Sequence, residues 1–77
     1  MWNTKIEHKE NQVCKTIHDF GQGVTIVADL VEPSLKRYHG KIIVAEYDFS
    51  FYSALIKYEH LLMNIDMEVN PDKYANQ

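Results

Sequence analysis

The sequence predicts an α+β fold: a small antiparallel sheet of three or four strands followed by one C-terminal helix packed on one face. Three observations predict it. Residues 24–31 (VTIVADLV) and 42–49 (IIVAEYDF) are rich in the β-branched and aromatic types that suit a pleated surface. Paired antiparallel, they place Leu30 opposite Ile43, Ala28 opposite Ala45, Ile26 opposite Tyr47 and Val24 opposite Phe49, so one face is apolar and the other half polar. The segment SFYSALIKYEHLLMNID then switches to a helical period.

In chain order, residues 2–8 put Trp2, Thr4, Ile6 and His8 on one side, the pattern of a short edge strand, and EHKENQ follows as a polar turn. Residues 13–20 (VCKTIHDF) read as a strand by composition, with two phases open. One face carries Val13, Lys15, Ile17 and Asp19, the other Cys14, Thr16, His18 and Phe20, and neither is cleanly apolar. Gly21 and Gly23 offer the positive φ of a tight turn into residues 24–31. Residues 32–40 (EPSLKRYHG) form the next connection, with Pro33 breaking the ladder and part of 35–40 available to extend the following strand. The helix starts near Ser50, with Asp48 as the competing cap. Phe51, Ala54, Leu55, Tyr58, Leu61, Leu62 and Ile65 form its sheet-facing stripe. Pro71 ends it, and residues 71–77 are expected to trail as a loose tail of one domain spanning 1–77.

Composition narrows the function classes. A 45% apolar content predicts a folded rather than a disordered chain. A net charge of −3 argues against non-specific affinity for nucleic acid or anionic membranes. A single cysteine, Cys14, excludes an intrachain disulfide and favours a reducing compartment, and no signal-like or bilayer-spanning run is visible, so a cytoplasmic location is expected. Charge is uneven: 33–41 holds Lys36, Arg37 and Lys41 without an acid, whereas 59–72 holds Glu59, Asp66, Glu68 and Asp72 without Lys or Arg.

No arrangement of residues calls for a cofactor, a metal or a catalytic role. Cys14 and His18 are zinc ligands by chemistry, yet on a strand they stand roughly 13 Å apart. His18 adjoins Asp19 and His60 adjoins Glu59, but sequence neighbours point in different directions. What remains is surface for a partner. Tyr52, Ile56, Met63 and Met67 form a second apolar set on the helix that one small sheet cannot cover. Asp29, Glu46 and Asp48 gather around Val27, Val31, Ile42 and Val44 on the outer sheet face. These residues lead to a non-enzymatic protein-binding module, self-associating or acting as a small inhibitor or regulator of a larger complex. By analogy of size and composition alone, a phage or mobile-element counter-defence protein of anti-CRISPR type is one such case. The alternative is a nucleic-acid-binding regulator in which Lys36, Arg37 and Lys41 neutralise phosphates and Tyr38 stacks on a base.

Overall fold

The structure, a computed structural model, describes residues 2–75. Five strands run as an antiparallel meander: β1 (Asn3–Lys9), β2 (Gln12–Gly21), β3 (Val24–Asp29), β4 (Ser34–His39) and β5 (Ile42–Tyr47), hydrogen-bonded in that order. A four-residue helix α1 (Phe49–Tyr52) and a longer helix α2 (Leu55–Val69) follow, with a 3₁₀ turn over Pro71–Lys73.

The sheet therefore has five strands rather than three or four, and the hairpin register expected between 24–31 and 42–49 does not form. β4 lies between them. Ala28 faces Leu35 instead of Ala45, Ile26 faces Arg37 instead of Tyr47, and Val24 faces His39 instead of Phe49. Two local causes turn the expected connection into a strand. The Asp29 carboxylate accepts from the backbone N–H groups of Val31 and Glu32, closing a turn before Pro33. Gly40 takes a φ of 63° at the first central position of a two-residue hairpin, so His39 opposes Ile42 directly. The strand so delimited alternates as a half-buried strand must: Leu35 is buried, while Lys36 meets Glu46 on the opposite face.

The expected edge strand and the turn at Gly21 and Gly23 are present. β1 pairs with β2, and Gln22 and Gly23 both have positive φ between Gly21 and Val24. β2 takes the phase that turns His18 and Phe20 inward, where Trp2 packs on Phe20 with ring centroids 5.4 Å apart. The core is built from Phe20, Val24, Ile26, Ala28 and Leu35 of the sheet with Leu61, Leu62 and Ile65 of α2.

The helix is not continuous. Asp48 caps α1 by accepting from Ser50 and Phe51, but the Ser53 hydroxyl donates back to the Ser50 carbonyl and Ala54 is extended. This break shifts the phase: Tyr58, Leu61, Leu62 and Ile65 still face the sheet, whereas Phe51, Ala54 and Leu55 of the expected stripe are exposed. Two ties hold α2 down at its C-terminal end. Arg37 reaches from the inner face of β4 to make a bidentate pair with Glu68 at 3.1 and 3.2 Å. Asp66, completely enclosed, accepts from Asn70, Lys73 and Tyr74, so the expected loose tail is pinned through residue 74. Residues 76–77 of that tail lie outside the described residues.

Candidate functional site

At about 100° per residue, Ile56, Met63 and Met67 fall within about 40° of arc on α2, with His60 about 20° beyond its edge. That line is about 180° from the centre of the buried face made by Leu61, Leu62 and Ile65. Ile56 is 68% exposed, Met63 48% and Met67 44%. The helix thus carries apolar side chains on two opposite sides, and those of the outward side remain exposed.

Tyr52 departs from this set. The helix break turns it under the chain, half-buried, with its ring edge-on to Tyr47 at 5.8 Å. The three acids of the expected outer-face cluster are drawn into local structure. Asp29 closes the β3–β4 turn, Asp48 caps α1, and Glu46 lies 3.9 Å from Lys36. Hydrogen bonds from those backbone and hydroxyl groups hold the Asp29 and Asp48 carboxyls below the usual carboxylate range. Val31, Ile42 and Val44 are exposed, the last two on the β5 edge, and Val27 is half-buried between strands.

The basic segment does not form one surface. Strand alternation sends Lys36 and Tyr38 to the outer face and Arg37 inward to Glu68, with Lys41 in the β4–β5 turn. Arg37 is therefore a clamp on α2, and the guanidinium hydrogen bonds hold the Glu68 carboxyl below its ordinary range.

A feature the sequence reading missed is a cleft of about 280 Å³ between the sheet and the α1–α2 junction. Thr16 and Ala28, small and adjacent on the inner face, leave the space, and Phe49, Tyr52 and Leu55 roof it. His18 and Tyr58 close it toward the core. His18 Nε2 is hydrogen-bonded to the Tyr58 hydroxyl, and Nδ1 lies 3.1 Å from Thr4 Oγ1. Burial lowers the His18 pKa, keeping the ring neutral near pH 7, and pushes the Tyr58 pKa up to about 12. These two residues are forty positions apart, so no local pattern joins them; the inward phase of 14–20 together with Tyr58 in the helix stripe was the available signal. Cys14 shares that inward phase but donates to the Glu7 carbonyl. Among the described residues no three His, Cys, Asp or Glu side chains converge as metal ligands. No helix there is long and apolar enough to cross a membrane.

Compared with protein-family models, curated proteins and solved structures, this chain matches none of them.

Proposed function

We propose that this chain is a protein-binding module, acting in the cytoplasm as a regulator or inhibitor that attaches to a larger complex or to a second copy through the outward face of α2. One observation carries the reading: Ile56, Met63 and Met67 line up opposite the buried face and stay exposed. Single exposed apolar residues are ordinary, whereas an aligned set over about three turns is the form in which a helix enters a partner's groove. Methionine suits such a contact because its unbranched side chain adapts to irregular surfaces.

The test is association, measured by light scattering on the purified chain and by capture of partners from the source cells with wild type and variants in parallel. Ile56→Asp and Met63→Asp each place a charge on the outward face without touching the core. We expect association at least tenfold weaker in both, a loss of about 1.4 kcal/mol or more, with the helical circular dichroism and thermal midpoint retained. Native assembly and an unchanged partner set in both variants would overturn the reading.

A further inference from the structure

We infer that the cleft beneath the α1–α2 junction is an anchor pocket for one tyrosine side chain presented by the protein partner, an inference that rests on the protein-binding reading above. Size limits the occupant first. About 280 Å³ is just below the range for small-molecule pockets, enough for one ring and too little for an extended ligand. Charge limits it next: Ala28, Leu30, Phe49, Tyr52 and Leu55 supply apolar walls, and no Lys, Arg, Asp or Glu lines the space. A charged group entering there would lose water and meet no counter-charge, so the occupant is neutral.

The polar pair sets the remaining requirement. A neutral imidazole has one N–H and one lone pair. With its proton on Nδ1, His18 donates to Thr4 Oγ1 and accepts from Tyr58, whose oxygen keeps room to accept another hydrogen bond. With the proton on Nε2, it donates to Tyr58, whose own hydrogen is then free for an incoming oxygen. The pair thus meets a group that both donates and accepts, which a phenol hydroxyl does. The mouth identifies the source of the ring. Leu30 and Leu55 stand exposed at the rim, Leu55 as the first residue of α2. An open mouth leaves a free molecule half solvated but lets a side chain enter while its backbone stays outside. Tyrosine is also among the residues that most often carry binding energy at protein interfaces.

The experiment titrates the ¹⁵N-labelled full chain with three probes: acetyl-Gly-Tyr-Gly-amide, its phenylalanine analogue and p-cresol. The expected result is saturable amide shifts at His18, Ala28, Leu30 and Leu55, with the tyrosine peptide binding at least threefold tighter than the phenylalanine peptide. Tyr58→Phe should erase that discrimination. Ala28→Leu, which fills the cleft and keeps both polar groups, should weaken the tyrosine peptide at least tenfold in a folded protein. Equal binding of the two peptides overturns the inference, as does the absence of saturable shifts. Binding of p-cresol with both peptides excluded would make the pocket a free small-molecule site instead. Because the titration needs only the isolated chain, its outcome is independent of Ile56→Asp and Met63→Asp, and either reading can fail alone.

Discussion

Asp66 holds the last described turn of the chain to the helix before it. Enclosure opposes its ionisation, but hydrogen bonds from Tyr74, Asn70 and Lys73 outweigh that and hold its carboxyl below the ordinary range. Asp66→Ala is expected to cost about 2 kcal/mol in urea denaturation, the scale of hydrogen bonds to a charged group. A loss under about 0.5 kcal/mol would show that the tie is incidental. His18 adds a pH dependence of definite sign. Its folded pKa lies below the unfolded 6.5, so the unfolded chain binds more protons between the two values. The stabilisation is complete above 6.5 and is lost as pH falls through the folded value. Denaturation at pH 7, 6 and 5 should show wild type losing stability relative to His18→Gln, which cannot protonate; parallel curves would contradict the buried neutral ring. Residues of this kind were poorly legible in the sequence. Asp66 interrupts a helical apolar pattern, and its partners Lys73 and Tyr74 sit beyond Pro71, where the pattern predicted no structure.

The elements were more legible where the pattern is strong and local. The phase of β3, the turn before it and Leu61, Leu62 and Ile65 of α2 follow from period and turn chemistry. The errors arose where weak local forces decided. Ala54 is an excellent helix former, so propensity does not explain the break beside it; the Ser53 hydroxyl bond to Ser50 and the Tyr52–Tyr47 ring contact accompany it. β4 was hidden because three of its six residues are Lys, Arg and His, and its inward arginine is paired with Glu68 across to α2. That pair bears on the nucleic-acid alternative. Arg37→Glu would loosen α2, so loss of activity there says nothing about phosphate contacts. Lys41→Glu is the cleaner variant, since Lys41 lies in an exposed turn. Unchanged binding to a single-stranded oligonucleotide, or none in wild type, is the outcome expected here. The clamp itself predicts a modest cost for Arg37→Gln, about 0.5–1 kcal/mol, because Glu68 is largely solvent-exposed.

At the scale of the whole molecule, one helix covers one face of a five-stranded meander, and the remaining apolar surface is unevenly placed. The β1 edge bears Lys5, Glu7 and Lys9, charges that discourage strand pairing, whereas the β5 edge exposes Ile42, Ile43 and Val44 beside a bulge that distorts it. The outward line of α2 exposes Ile56, Met63 and Met67 with His60 beside them, and the proposed association rests on that line. The most direct measurement follows the methionine methyl groups of α2. In ¹³C-methyl-methionine protein carrying a soluble paramagnetic agent, Met63 and Met67 should be strongly relaxed in the isolated chain and shielded in the associated form. Equal access of the agent to both methyl groups in the two states would contradict the account.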